Sequence, residues 1–170
     1  MSETLEPALP DELDRKAEEA MRRLCDKRLT VATAESCTGG MLAALLTDIE
    51  GAGHAFERGF VTYTKESKTE LLGIEPSVLD KNEAVSEVVA RAMAEGALNR
   101  SRADVAVGVT GFAGPAGEDH EEGLVHMALA RRGGTTVHRK EHFGAVGRGT
   151  VRVKSLETML QMLEQSLQEA

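Results

Sequence analysis

The sequence predicts an α/β layer fold with a mixed sheet, and three observations lead to that prediction. Apolar segments with helical spacing alternate with short runs rich in β-branched residues along most of the chain. Near the carboxyl end, however, predicted strands follow one another without an intervening helix, which a purely alternating fold would not show. Aromatic residues make up only 3% of the chain, so the core must be built from Ala, Val, Leu and Met.

The first half of the chain alternates between predicted helices and predicted strands. Apolar residues at helical spacing predict an amphipathic helix over 11–28, and the nearly continuous apolar run MLAALL predicts a buried helix over 41–46. The runs LTVATA and FERGFVTYT are rich in β-branched or aromatic residues, so they predict strands over 29–34 and 56–64. Each of these strands therefore follows a helix.

Three more helices are predicted after these strands. Residues 65–72 suit a short helix, and residues 74–83 are expected to form a connection. Ser86 is the predicted N-cap of a helix over 86–100. The stripe of that helix expected to face the core consists of Val88, Val89, Ala92, Met93 and Leu98. A last amphipathic helix is expected over about 150–168.

Three consecutive strands are predicted between the last two helices. They are expected over 104–110, 124–130 and 135–143. Residues 131–134 would form the turn of a hairpin that joins the second of these strands to the third. A sheet that contains such a hairpin cannot be entirely parallel, so the prediction is a mixed sheet.

Length and charge exclude several classes of function. A chain of 170 residues suits one domain without a disulfide or metal staple, which we assign to residues 11–170 after a flexible lead-in over 1–10. The net charge of −8 makes the chain a poor candidate for binding nucleic acid through its phosphates. Cys25 and Cys37 are too few for a disulfide framework. The acidic start and the short apolar runs predict a cytoplasmic protein without a signal peptide or membrane span.

Two glycine-rich turns at the ends of predicted strands are the first candidates for a binding site. They are AESCTGG over 34–40 and TGFAGPAG over 110–117. Ligand sites in α/β folds favour strand ends, and a helix that began near Thr38 would point free N–H groups at an anion or oxyanion. Neither turn matches the P-loop, the GxGxxG or the GxSxG pattern. Loop geometry alone is the alternative explanation for both turns.

Ser36 and Lys68 are candidates for a nucleophile and its base, and each has an ordinary alternative. Ser36 could attack a substrate with oxyanion donors in the amides that follow, or could be a helix N-cap. Cys37 could compete for the nucleophilic role or fill a tight turn. Lys68 could be a base only if burial or another cation lowered its pKa, and otherwise it is a solvated lysine. Tyr63, taken alone, is a strand residue with a packed ring and a solvated hydroxyl.

Arginine and histidine pairs give weaker signals. Arg148 and Arg152 are four residues apart and share a helix face, which suits a phosphate or carboxylate, although a pair of surface charges is the alternative. His138 and His142 would lie about 13 Å apart on a strand, so we expect no metal site there. His120 lies among acidic residues in what is expected to be a solvated loop.

Five segments, taken together, resemble one known protein family. In chain order they are AESCTGG (34–40), FERGFVTYTKESKTELLG (56–73), AVSEVVARAMAEGAL (84–98), GVTGFAGPAG (108–117) and RGTVR (148–152). They are similar to the C-terminal domain of the competence/damage-inducible protein CinA, a family that includes nicotinamide-nucleotide amidase. The resemblance covers about residues 30–168.

The resemblance implies a fold, an activity and catalytic residues. The expected fold is a three-layer α/β/α domain, and the expected reaction is hydrolysis of the carboxamide of nicotinamide mononucleotide to nicotinate mononucleotide and ammonia, for NAD salvage. Ser36 would be the nucleophile, Lys68 its base, and Tyr63 would assist proton transfer or hold the lysine. Neither a metal nor a cofactor is implied. Arg148 is a candidate for the cation that holds the pKa of Lys68 down.

The resemblance also implies substrate-binding residues around the same two turns. The oxyanion or phosphate site is expected to be lined by Thr38, Gly39 and Gly40, and the pocket by Thr110 and Gly111. The substrate phosphate is expected to lie near Arg148 or Arg152.

Two segments depart from the family pattern and keep other functions open. The family usually has a step such as KPVGTV where this chain has Glu122-Gly123-Leu124-Val125, and it often has GDR where this chain has Gly147-Arg148. Both lie near the expected phosphate side. The alternatives are a nucleotide-binding or regulatory module without catalysis, and an amidohydrolase of a different small amide. The expected partner is a small nucleotide substrate, with no nucleic acid and no membrane, and a homo-oligomer is left open.

Overall fold

The computed structural model describes residues 9–168 and contains a five-stranded sheet with strand order β2-β1-β3-β4-β5. The strands are β1 (Val31–Glu35), β2 (Phe56–Val61), β3 (Val105–Gly111), β4 (Leu124–Arg131) and β5 (Val137–His142). The α-helices are α1 (Asp11–Lys27), α2 (Met41–Thr47), α3 (Lys65–Leu72), α4 (Pro76–Lys81), α5 (Glu87–Asn99) and α6 (Arg148–Gln168). The predicted lead-in lies almost wholly outside the described residues.

The sheet is mixed, as the sequence predicts. Strand β1 pairs in parallel with β2 on one side and with β3 on the other, whereas β3–β4 and β4–β5 are antiparallel. The β4–β5 hairpin turns at Gly133, whose φ of 74° favours glycine. Because β1 and β3 are parallel neighbours, their carboxyl ends lie side by side, and this end of the sheet carries both glycine-rich turns.

Helices cover both faces of the sheet and give the three-layer α/β/α arrangement. On one face, apolar residues of α1, α2 and α6 pack against alternate residues of the strands, such as Val105, Val107 and Val109. On the other face, α5 packs on small residues such as Ala106 and Ala128, with parts of α3 and α4 at its side. The alternation of large and small side chains along β3 therefore gives the two helix layers different distances from the sheet.

Two local predictions differ from the structure. Residues 74–83 contain α4, which begins with Pro76 at its first turn, and a helix of six residues is too short to show periodicity in sequence. Val88 is 46% exposed, although we placed it in the core stripe of its helix. The buried face of α5 is turned toward its alanines, because the helix lies so close to β3 that a Cβ on Gly108 would come within 2.6 Å of the Ala94 nitrogen.

A second close approach positions the helix that carries Lys68. A Cβ on Gly96 of α5 would run into the main-chain carbonyl of Leu72, the last residue of α3. Thr64 caps the other end of α3, because its side-chain oxygen accepts a hydrogen bond from the Ser67 amide at 3.1 Å. Helix α3 is therefore fixed at both ends. No helix within residues 9–168 is long and apolar enough to cross a membrane.

A pair of histidines is buried between the hairpin and α5. His126 Nδ1 lies 3.0 Å from His138 Nε2, and His138 Nδ1 lies 3.5 Å from a carboxylate oxygen of Glu87 on α5. Burial lowers the pKa of both imidazoles below the ordinary histidine value and the positive charge of Lys140 adds to this, whereas the Glu87 carboxylate opposes it in part. The folded chain therefore favours the neutral pair, in which one ring donates a hydrogen bond to the other.

This pair predicts that the chain becomes less stable in mild acid. Between about pH 7.5 and pH 5.5 the unfolded histidines gain protons with a pKa of about 6.5, while the folded pair resists protonation, so the free energy of unfolding should fall as the pH falls. Urea unfolding should show a smaller fall for the double variant H126Q/H138Q than for the wild type. The variant His54→Gln, at an exposed histidine, should keep the wild-type slope. Equal slopes for wild type and double variant would contradict the assignment.

Candidate functional site

The two glycine-rich turns meet at the carboxyl end of the parallel strands, where the sequence places them. The main-chain N–H of Ser36, directly after β1, donates to the carbonyl of Val109 in β3 at 3.2 Å. Thr62, directly after β2, donates its N–H to the carbonyl of Glu35 at 2.9 Å. The chain segments that leave β1, β2 and β3 are therefore joined by backbone hydrogen bonds, and Ser36 lies at the centre of them.

Glu35, which we did not assign a role from sequence, fixes the turn that carries Ser36. Its carboxylate is 1% exposed and accepts hydrogen bonds from the Leu42 amide at 3.0 Å, the Ala43 amide at 2.8 Å and the Thr38 hydroxyl at 2.6 Å. Helix α2 begins at Met41, and Gly40 at its N-cap has no side chain, so Glu35 supplies the missing cap. These first-turn amides are thus not free to bind an anion. The expected helix start near Thr38 is wrong, because the helix begins at Met41.

Replacing Glu35 by glutamine should lower the free energy of unfolding by about 1–3 kcal/mol. The glutamine NH₂ would face one of the three groups that donate to the carboxylate, and that donor would have no acceptor. Urea unfolding measures the difference, and Glu70→Gln on the exposed face of α3 is the matched control with the same change of charge. The same urea midpoint for both variants would show that the carboxylate does not hold the turn.

Lys68 is buried against Ser36, so the reading of Lys68 as a solvated lysine is wrong. Its side chain is only 2% exposed, and Lys68 Nζ lies 3.2 Å from Ser36 Oγ. The same nitrogen donates to the carbonyl of Tyr63 at 2.8 Å and lies 3.4 Å from the carbonyl of Thr62. Three oxygens therefore surround the amine, and no carboxylate pairs with it among residues 9–168.

Burial lowers the pKa of Lys68, and the thiol of Cys37 opposes that shift only in part. Arg148 does not contribute to this shift, so desolvation and not a neighbouring cation increases the fraction of Lys68 that is neutral and able to accept a proton. Burial acts in the opposite sense on the neighbouring Cys37 and raises the pKa of its thiol to about 12. At neutral pH the thiol is protonated, which removes the advantage that Cys37 would have as a nucleophile.

Tyr63 contacts the lysine through its main chain. The carbonyl oxygen of Tyr63 accepts the shortest hydrogen bond made by Lys68, while the Tyr63 side chain is 74% exposed. Tyr63 lines a small cleft of about 110 Å³, which we call the strand-end cleft. The cleft is lined by Cys37, Tyr63, Gly111, Phe112, Ala113, Gly114, Pro115, Arg148 and Arg152. The cleft therefore adjoins the Ser36–Lys68 pair on the side of Cys37 and Tyr63.

Both arginines predicted near the phosphate lie on the strand-end cleft. Arg152 donates through Nε to the carbonyl of Cys37 at 2.8 Å. The Arg148 guanidinium covers Gly114, where a Cβ would come within 2.6 Å of Nη2. Neither arginine forms an ion pair with a carboxylate of the described part of the chain. Two guanidinium charges thus face the cleft without compensation, which favours an anion there.

The remaining predicted substrate-binding residues divide into those at the surface of the site and those beneath it. Gly111 lines the strand-end cleft, and the Cα region of Gly39 lies beside the Arg152 guanidinium. Thr38 and Thr110 are buried, and their hydroxyls donate to Glu35 and to the carbonyl of Ala84 respectively. Gly40 has a φ of 96°, so it serves the turn itself, because other residues rarely adopt this conformation.

The acidic loop after the cleft is exposed, as expected for a solvated loop, and two of its side chains contact the rest of the protein. The His120 ring stacks on the Phe112 ring, with ring centroids 4.6 Å apart. Glu121 Oε1 lies 2.7 Å from His142 Nδ1. Because Phe112 lines the strand-end cleft, the loop packs behind one wall of the site. Within residues 9–168 no group of three or more His, Cys, Asp or Glu side chains is placed to hold a metal.

Comparison with family models finds the family that the motifs resemble. The model of the CinA C-terminal domain matches residues 13–167. The chain belongs to the CinA C-terminal domain family. Its Ser36–Lys68 pair and its two cleft arginines lie within the matched residues.

Individual relatives of this family differ in how much of their length the chain spans. It is 55% identical over 115 residues to the CinA-like protein of Akkermansia muciniphila. The aligned residues cover 66% of this chain and 28% of that protein. It is 43% identical over 156 residues to the nicotinamide-nucleotide amidohydrolase PncC of Escherichia coli K12, which covers 91% of this chain and 94% of that one. The crystal structure of the competence/damage inducible protein CihA from Agrobacterium tumefaciens superposes with a TM-score of 0.90 at 41% identity, over 94% and 98% of the two chains.

Proposed function

We propose that this chain hydrolyses the carboxamide of nicotinamide mononucleotide, with Ser36 as nucleophile and Lys68 as its base. The observation that carries the proposal is the 3.2 Å contact between Lys68 Nζ and Ser36 Oγ in a buried setting. The similarity to a nicotinamide-nucleotide amidohydrolase over most of both chains supports the choice of substrate. The products are nicotinate mononucleotide and ammonia, which places the reaction in NAD salvage.

The surroundings of Lys68 suit a base and not merely a buried cation. A neutral amine has two N–H groups and one lone pair. The carbonyls of Tyr63 and Thr62 accept the two N–H groups, so the lone pair is left for the hydroxyl proton of Ser36. After proton transfer the ammonium has three N–H groups and three oxygen acceptors around it. Both protonation states therefore have partners, and burial favours the neutral one.

In the first half of the reaction, Ser36 Oγ bonds to the carboxamide carbon while its proton moves to Lys68 Nζ. The carbonyl oxygen becomes an oxyanion, for which the main-chain amides of Cys37 and Thr38 are the nearest donors in sequence. Lys68 then gives its proton to the amide nitrogen, the C–N bond breaks, and ammonia leaves. An ester joins the nicotinoyl carbon to Ser36.

In the second half, water attacks the ester carbon and Lys68 removes its proton. The bond to Ser36 Oγ breaks, the proton returns to the serine, and the carboxylic acid leaves as its carboxylate. No step requires a metal or a cofactor. Arg148 and Arg152 hold the phosphate of the nucleotide, and the exposed ring of Tyr63 offers a flat wall for the pyridine ring beside the reacting carbon.

Ammonia release from nicotinamide mononucleotide by the purified chain, with a chelator present, tests the proposed function. We expect release that the chelator does not affect, and no comparable release from free nicotinamide, which lacks the phosphate. Release from another amide but not from the nucleotide would replace the substrate and keep the mechanism. Saturable nucleotide binding without any release would indicate a regulatory module and overturn the proposal.

A further inference from the structure

A second cavity lies at the end of the sheet opposite the strand-end cleft. It has a volume of about 480 Å³ and opens between the β4–β5 hairpin and the carboxyl-terminal half of α6, and we call it the hairpin cavity. Its residues on β4 lie toward Arg131, which pairs with Val105 at the start of β3, whereas the cleft lies beyond the other end of β3 at Gly111. None of the residues that line the hairpin cavity lines the cleft.

The hairpin cavity holds two arginines whose charges are not neutralised. Arg131 donates to the carbonyl of Ser166 at 2.7 Å, and Arg139 donates to the side-chain oxygens of Gln161 at 3.2 Å and Gln165 at 2.9 Å. All of these acceptors are uncharged, and no carboxylate of residues 9–168 lines the cavity. Within residues 9–168 neither arginine forms an ion pair.

Among residues 9–168 the same absence of ion pairs is found for Arg148 and Arg152 at the strand-end cleft, in a chain whose net charge is −8. Some other arginines lie against carboxylates, as Arg22 does against Glu18 and Arg91 against Glu87. Two unpaired guanidiniums in one concave site, in an otherwise acidic molecule, form a local positive potential that attracts anions. The planar donor fork of arginine matches the oxygen spacing of phosphate and carboxylate groups.

The rest of the lining is mixed, with polar side chains of Thr135, His138, Gln165 and Ser166 beside apolar ones that suit the body of an organic ligand. Leu129 and Met162 are almost fully buried at the cavity, while Val137 is 46% exposed. The hydroxyl oxygen of Ser166 is buried and has no hydrogen-bond partner among the described residues, so a polar group is available there as well. The volume falls within the range of about 300–1,000 Å³ that small-molecule sites occupy.

We propose that the hairpin cavity binds a small organic phosphate of the size of a nucleoside monophosphate. Arg131 and Arg139 hold the phosphate, and Leu129, Val137 and Met162 contact the apolar body of the ligand. A phosphate fits better than a single carboxylate because it offers three acceptor oxygens and nearly two negative charges to two guanidiniums. The site is independent of the catalytic proposal, since it shares no residue with the strand-end cleft.

Calorimetric titration of the full chain with adenosine monophosphate, adenosine and inorganic phosphate tests the proposal. Adenosine monophosphate should bind, and adenosine should bind at least about tenfold more weakly because it lacks the charge-assisted hydrogen bonds. Arg139→Gln should weaken the binding of adenosine monophosphate by at least about tenfold. Lys140→Gln, with the same change of charge on the opposite face of β5, should leave it within about twofold. If Arg139→Gln does not fold, Val137→Asp is the second variant, and it should also weaken the binding of adenosine monophosphate.

Variants at the two sites separate the hairpin cavity from the strand-end cleft. Adenosine monophosphate binding that survives Arg148→Gln and is lost in Arg139→Gln supports the proposal. Binding that is lost in Arg148→Gln and survives Arg139→Gln would assign the nucleotide to the cleft and overturn it. Equal affinities for Arg139→Gln and Lys140→Gln would show general attraction to positive charge, and an absence of binding by the wild type would also overturn it.

Discussion

Replacing Ser36 by alanine is expected to reduce ammonia release from nicotinamide mononucleotide by at least about 10³-fold, because among residues 9–168 Lys68 Nζ has no other hydroxyl within hydrogen-bond distance. The side chain of Ser36 is small and accepts no hydrogen bond from the main chain, so the urea midpoint of the variant should stay close to that of the wild type. Initial rates at saturating nucleotide measure kcat directly. A variant that folds and retains more than about a tenth of the wild-type kcat would exclude the serine as nucleophile.

Cys37 provides the sharpest control for that experiment, because it is the neighbouring residue and carries the more reactive type of side chain. Its thiol pKa is raised to about 12, so the thiolate is scarce at neutral pH. The variant Cys37→Ala should keep kcat within about threefold of the wild type, since it removes only packing next to the cleft. A large loss in Cys37→Ala combined with a small loss in Ser36→Ala would exchange the roles of the two residues.

The order of elements could be predicted because each longer element carries its own pattern. The helix expected over 65–72 begins and ends where the structure has it, since Thr64 caps its start and Gly73 follows its end with a φ of 68°. The helix expected over 11–28 ends one residue earlier, at Lys27. Boundaries of strands differ more, because pairing with neighbours and not local composition decides where a strand ends.

The site could be predicted only in part, because its decisive features are tertiary. Spacing alone predicts that Lys68 is a surface lysine. It is buried because α3 packs against α5 at Gly96, which is a tertiary contact. The sequence predicts no role for Glu35, although it stands directly before Ser36. A carboxylate at a strand end does not indicate which helix amides it will cap. The catalytic roles of Ser36, Lys68 and Tyr63 stay predictions until they are measured.

The hydrogen bonds of Lys68 make its replacement the second large effect. Lys68→Arg keeps a positive charge but cannot supply a neutral base, because a guanidinium does not lose its proton in proteins. We expect kcat to fall by at least about 10³-fold in Lys68→Arg and equally in Lys68→Met. Lys65→Arg is the matched control on the same helix, where the lysine is exposed and pairs with Asp80 at 3.3 Å. Its kcat should not change.

The pH dependence of the wild type distinguishes a catalytic base from a lysine that only supports the fold. Burial lowers the pKa of Lys68, and the neutral amine is the active form, so kcat/KM should rise with pH and level off below the ordinary lysine pKa of 10.5. Stability has the same sign, because the unfolded chain binds the proton more tightly and unfolding is therefore favoured as pH falls. Rates measured between about pH 6 and pH 9, at a temperature at which urea titration shows the chain to be fully folded at every pH, separate the two effects. A kcat/KM that falls as the pH rises over that range would contradict Lys68 as the base, since no other titratable group lies within hydrogen-bond distance of Ser36 Oγ among residues 9–168.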